Sequence, residues 1–207
     1  MKRLLLPALA LVLVVTAGCT TKTGGTASAA GSGATSGSAP TSTSRAGGKS
    51  APKVSKPLNA ATLASDPCSA LSAAQLSTLS LDTGTPRTGA TGPTCSWRYT
   101  DDETRSNSVG IAMDPNTDGL QGIYDLYAQK GKQQYEYFQP TVVFGYPGVF
   151  ASSADLRSRG QCVLDVALTD QQAAQVIVQL LNGPGKTNPC PFALKAGSAL
   201  IETLKGS

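Results

Sequence analysis

The sequence predicts an α+β domain: an antiparallel β-sheet packed with three helices and tied by two disulfides, preceded by an apolar leader and a disordered tether. Three observations carry this expectation. Cys95-Ser-Trp97-Arg-Tyr99 and Val109-Gly-Ile111-Ala-Met113 alternate apolar with polar or small residues, the period of a half-buried strand. Stretches with apolar residues at helical spacing lie between such strands and open on capping residues. Four cysteines, Cys68, Cys95, Cys162 and Cys190, fall within residues 58–207. An even number of cysteines behind an export signal suits disulfides.

In chain order, Met1-Lys2-Arg3 is basic and Leu4 to Val15 is apolar apart from Pro7. A bilayer span needs about 20 apolar residues, so this shorter run reads as the core of a signal peptide. Thr16-Ala17-Gly18-Cys19 supplies the small-residue cleavage context of a bacterial lipoprotein signal. The expectation is that residues 1–18 are removed and that Cys19 is acylated, anchoring the chain on the extracytoplasmic face of the cell membrane. A diacylated cysteine holds firmly, since each buried methylene contributes about 0.8 kcal/mol.

Residues 19–57 read as a Gly/Ser/Thr-rich tether. From Thr20 to Pro57 there is no aromatic residue, no acid and one β-branched aliphatic, Val54, too little apolar surface to offset the entropy of ordering. As a flexible coil it would span roughly 35 Å. The tether carries a charge of +5, whereas residues 58–207 carry −3, so the net charge of +4 gives no argument for nucleic acid. Ser50-Ala-Pro-Lys53 and Lys22-Thr-Gly24 imitate fragments of a penicillin-binding signature, but in reversed order and outside any expected fold.

Residues 58–207 read as one extracytoplasmic domain. Asp66-Pro67 is an N-cap followed by proline at the first helical position, and Ser72-Ala-Ala-Gln75 fits a capping box. Two strands follow at 95–99 and 109–113, joined through the polar stretch Asp101 to Asn107. Asp118 is expected to cap a second helix carrying Leu120, Ile123 and Tyr127 on one face. Further strands are expected at 142–144, 148–151, 162–168 and 174–181; the last also fits a short helix, although its Val-Ile-Val core favours a strand. Asn188-Pro-Cys190 opens a final helix lined by Leu194, Ala196, Leu200, Ile201 and Leu204. Each helix-start cysteine lies a similar distance from a strand cysteine, which favours the local pairs Cys68–Cys95 and Cys162–Cys190. The nested pairs Cys68–Cys190 and Cys95–Cys162 stay open.

Taken together, the lipoprotein signal, the tether, Asp66-Pro-Cys68, Cys95-Ser-Trp97, the Gly145-Tyr-Pro-Gly148 turn, Cys162 in a strand and Pro189-Cys190 resemble domain of unknown function 3558, a family of actinobacterial lipoproteins. The resemblance implies an envelope location and no established activity. It transfers only the cysteines and Trp97, as framework.

The chain has no histidine, so Ser-His-Asp and Cys-His pairs and histidine-held metals are absent. Asp101-Asp-Glu103 is a hairpin-tip cluster, read as a solvated turn. Asp114, Asn116, Asp118, Gly119 and Asp125 match an EF-hand-type loop in part, with Asp125 where a bidentate Glu is usual. The same residues also read as an Asx turn followed by a helix cap. Five of the six tyrosines lie within residues 124–150, and Tyr135, Tyr137 and Phe138 are the candidate contact surface. The expected role is a non-enzymatic domain, without cofactor, that binds another protein or an envelope component. The alternatives are a carrier of an apolar or lipid ligand and a weak calcium module.

Overall fold

Seven strands form one antiparallel sheet: β1 (Thr85–Gly89), β2 (Gly92–Arg98), β3 (Ser108–Met113), β4 (Tyr137–Val143), β5 (Tyr146–Ser152), β6 (Gln161–Ala167) and β7 (Ala173–Gln179). They lie in the order β1-β2-β3-β7-β6-β5-β4. This computed structural model describes residues 50–89 and 92–206, so the leader, Cys19 and most of the expected tether lie outside the described residues.

The register explains the two faces. Cys95 pairs with Ile111, Ile111 with Val176, and Val176 with Leu164, so these side chains share one face. That face holds the core: Trp97, Ile111, Leu164, Val176 and Val178 are buried under the helices α1 (Ala61–Ser65), α2 (Ala73–Leu79) and α4 (Cys190–Gly206). Along α4 the buried residues Ala193, Ala196, Gly197, Leu200, Ile201 and Leu204 recur at helical spacing, and Gly197 lets the helix sit against Leu164, Val143 and Val166. The other face is covered in part by α3 (Leu120–Lys130), whose Tyr124 and Tyr127 meet Phe138 of β4. Away from α3, Thr94, Ser96, Gly110, Val163 and Ile177 stay half-buried on that face.

Both expected local disulfides form. Cys68–Cys95 and Cys162–Cys190 have Cα separations of 4.9 and 5.2 Å. The first ties a 3-10 turn, Pro67–Ala70, to β2, and the second ties the start of α4 to β6. The Asp66-Pro-Cys68 start makes that single turn instead of a long helix, with the Asp66 carboxylate accepting from the Cys68 N–H. The capping box at Ser72 and Gln75 forms as the sequence predicts and opens α2.

Three differences from the sequence reading have physical causes. α1 adds a fourth α-helix, five residues long and too short to show helical periodicity. β1 went unseen because all five of its residues are exposed, leaving no alternation to read. At the start of α3, Gly119 occupies the N-cap with φ 53°, and the expected Asp118 side-chain cap is not made. The segment after Gln172 forms the favoured strand, β7, and completes the centre of the sheet between β3 and β6.

The tether boundary also moves. Residues 50–57, assigned above to the tether, lie against the folded domain: the Ala51 and Val54 N–H groups donate to Gln121 Oε1 (3.1 Å) and Asp170 Oδ1 (2.9 Å), and Lys53 pairs with Asp170 at 3.3 Å. The Tyr146 hydroxyl donates to the Lys56 carbonyl at 2.9 Å, and Val54 is buried. Lone Val54 suffices because the contacts are mainly backbone hydrogen bonds, which composition does not reveal. The segment runs along one end of the sheet, the end that also carries the β4–β5 and β6–β7 turns and the close of α4.

Candidate functional site

On the core side a groove lies between α2 and α4. Leu79, Leu81, Tyr99, Val109 and Phe192 supply its apolar lining, and Gln75, Lys195 and Glu202 stand around it. Its volume is about 550 Å³, within the range of small-molecule sites. A second hollow of about 290 Å³ shares Leu79, Tyr99 and Phe192 with it and continues past Asn107 to Gly185.

Local sequence fixes both ends of this groove. Gln75 serves two purposes: its Oε1 accepts from the Ser72 N–H (2.8 Å) and from the Thr203 hydroxyl (2.7 Å), and its Nε2 donates to the Ala199 carbonyl (2.8 Å). The capping residue of α2 therefore also holds α4. At the other end the buried Asn107 side chain accepts from the Leu181 N–H (2.7 Å) and donates to the Asn182 carbonyl (3.1 Å), fastening the loop before α4. Phe192 packs on Gly185, where an added Cβ would come within 2.5 Å of its ring. Burial raises the Tyr99 hydroxyl above its ordinary pKa, so it stays neutral and can donate or accept.

On the α3 face, a buried acid pair appears where the sequence offered a calcium loop. Asp165 of β6 is 3% exposed and faces Asp114, which is also buried. Gln175 Nε2 donates to Asp165 Oδ1 at 3.1 Å. Burial first, then the Asp114 carboxylate, raises Asp165 well above the ordinary carboxylate range. Tyr135 is pushed up to about 12 by burial and by facing both acids.

The four calcium candidates do not converge. The Asp114 carboxylate accepts from the Asn116 N–H (2.7 Å) in an Asx turn, Asp118 is exposed, and Asp125 accepts from Gln121 on α3 (2.8 Å). Among the described residues no three His, Cys, Asp or Glu side chains gather as a metal-holding group. Of the three aromatic candidates, Tyr135 and Phe138 stay together, with ring centroids 6.3 Å apart, and Tyr137 separates from them. Phe138 stacks on Tyr127 with ring centroids 4.1 Å apart, whereas Tyr137 points to the opposite face of β4 and is buried. The Val163 N–H donates to the Tyr137 hydroxyl (3.2 Å), and Arg157 lies 4.3 Å over its ring. Tyr135 is half-buried beside the acid pair. Tyr127, Tyr135 and Phe138 fill the seam between α3 and the sheet, and alternation along β4 sends Tyr137 to the other face.

Sequence reasoning missed Asp165 and the groove. The signal for Asp165 was a lone acid inside the apolar run Val163-Leu-Asp-Val-Ala-Leu168. A groove made by the spacing of two helices leaves no such mark.

No helix among the described residues is long and apolar enough to cross a membrane. Among curated proteins and among solved structures, nothing matches the chain. A family model described as a protein of unknown function, DUF3558, matches residues 14–203, nearly the whole sequence and including all five cysteines. The chain belongs to the DUF3558 family.

Proposed function

We propose that this chain is a lipid-anchored envelope protein, held through Cys19, whose folded domain is a non-enzymatic binding module using the α2–α4 groove. The observation that carries the reading is the groove itself: an apolar lining of Leu79, Leu81, Val109 and Phe192 with the hydrogen-bonding side chains of Gln75, Thr78, Lys195, Ser198 and Glu202 around it. Such a surface suits an apolar segment of another protein or an envelope component, with Tyr99 and Phe192 as aromatic anchors. Two disulfides that each close a loop of under thirty residues suit an oxidising, extracytoplasmic setting.

A carrier role for an apolar ligand is the second reading, favoured by the groove's volume and its place between helix and sheet. Mass spectrometry of the protein purified under native conditions separates the two. A lipid that co-purifies and is lost in Leu79→Lys assigns the carrier role; a ligand-free protein supports the binding module. An unmodified Cys19 peptide from the native membrane would contradict the anchor.

A further inference from the structure

We propose that the end of the domain where the tether arrives docks on an anionic lipid surface, with the β4–β5 hairpin tip entering the interface. This rests on the anchored reading above. The tip is a two-residue turn, Phe144-Gly145, between the paired residues Val143 and Tyr146. Both turn residues have positive φ, 49° and 87°, as a type I′ turn requires. Asn-Gly is the favoured pair there, and an aromatic residue in the left-handed region is a strained choice. Phe144 is covered only in part in return, being 48% exposed, and Val142 two residues before it is 59% exposed. Strain retained at an exposed aromatic tip points to a role outside the fold.

What would meet this tip follows from its surroundings. Ala51 to Leu58, the segment leading back toward Cys19, is fastened to the same end of the sheet. Lys205 lies 4.7 Å over the Phe144 ring, and Lys56 sits beside Tyr146 at the base of the hairpin. Neither lysine pairs with an acid among the described residues. Of the exposed acids at this end, Asp170 is matched by Lys53, Glu202 stands one turn before Lys205 on α4 and accepts from Gln75 of α2 (3.5 Å), and Asp118 lies beyond β3, across the sheet from the hairpin. The acidic tip Asp101-Asp-Glu103 is at the opposite end. An exposed apolar tip flanked by lysines, at the end to which residues 51–58 are fastened, has the chemistry of an interfacial contact with anionic lipid. Docked this way, the part of the groove near Asn107 faces away from the membrane.

The test uses the full lipidated chain in phosphatidylglycerol vesicles carrying brominated acyl chains, which quench tryptophan only at the bilayer. The native Trp97 is fully buried and serves as the unquenched background. Phe144→Trp is expected to be quenched, and Val142→Trp, which leaves the turn untouched, gives an independent reporter. Adding Phe144→Asn to Val142→Trp should abolish quenching, and Lys56→Gln or Lys205→Gln should each lower the docked fraction relative to undocked about fivefold. Pure phosphatidylcholine vesicles should give little quenching. A chain that floats with the vesicles while both reporters stay unquenched overturns the inference, as does shielding of the tip only when another protein is added. Failure of the anchor reads differently: the chain does not float, and the Cys19 peptide lacks acyl mass.

Discussion

Asp165 holds its proton more tightly in the folded chain than in the unfolded one, because burial and Asp114 both disfavour its charge. Stability from the protonated acid is therefore fully present below the ordinary value of 3.8 and is lost as pH rises through the raised folded value. Asp165→Asn keeps an acceptor for Gln175 and offers Asp114 a permanent donor. It should melt above wild type at neutral pH, with the gain vanishing as the pH falls to about 4; a gain independent of pH would contradict this. At the hairpin tip, Phe144→Asn should stabilise the fold by about 1 kcal/mol in urea denaturation, since asparagine tolerates the left-handed region better. Legibility at this scale was uneven. Cys68, Cys95, Ser72 and Gln75 announce their partners through chemistry or spacing, whereas Tyr135 and Tyr137 needed the strand's facing to be known before their environments could be told apart.

Among the elements, α2 depends most on a single side chain. None of its seven residues is fully buried, Leu76 and Leu79 packing only in part against the core, so capping and the tie to α4 add much of what holds it in place. Gln75→Ala removes both the reciprocal cap and the bonds to Ala199 and Thr203, and should cost about 1–2 kcal/mol in urea denaturation. A loss below a few tenths would mean that α2 is held by something else. The strands most legible in the sequence, β2, β3, β6 and β7, are those with one face in the core. The edge strands were harder: β1 is exposed throughout, and Pro86 in β1 and Pro140 in β4 interrupt the strand pattern. Those prolines blunt the edges, since each removes a backbone donor from the ladder. The docked segment 50–57 was illegible because it is held mostly by backbone hydrogen bonds, and α1 because one buried residue, Leu63, in a five-residue helix gives no period to read.

For the whole molecule, the two disulfides bracket the groove's supports, one at the turn before α2 and one at the first residue of α4. Replacing Cys162 and Cys190 together with alanine should cost roughly 3–4 kcal/mol of stability, the loop-closure value for this separation. It should also loosen the Phe192 end of the groove before α2 is affected, seen as faster amide exchange near Cys190 than near Leu76. The arrangement as a whole is two-ended: residues 51–58 are fastened to one end of the sheet, and the groove runs along α4 toward the other. The claim at the centre of this account is that the groove is the binding surface. In-cell photo-crosslinking from a benzoyl-phenylalanine placed at Lys195, on the groove rim, tests it directly against the same group at Arg87 on exposed β1. The account predicts a discrete adduct from position 195 that disappears in Leu79→Lys, and none from position 87; adducts of equal yield from both, or from position 87 alone, would contradict it.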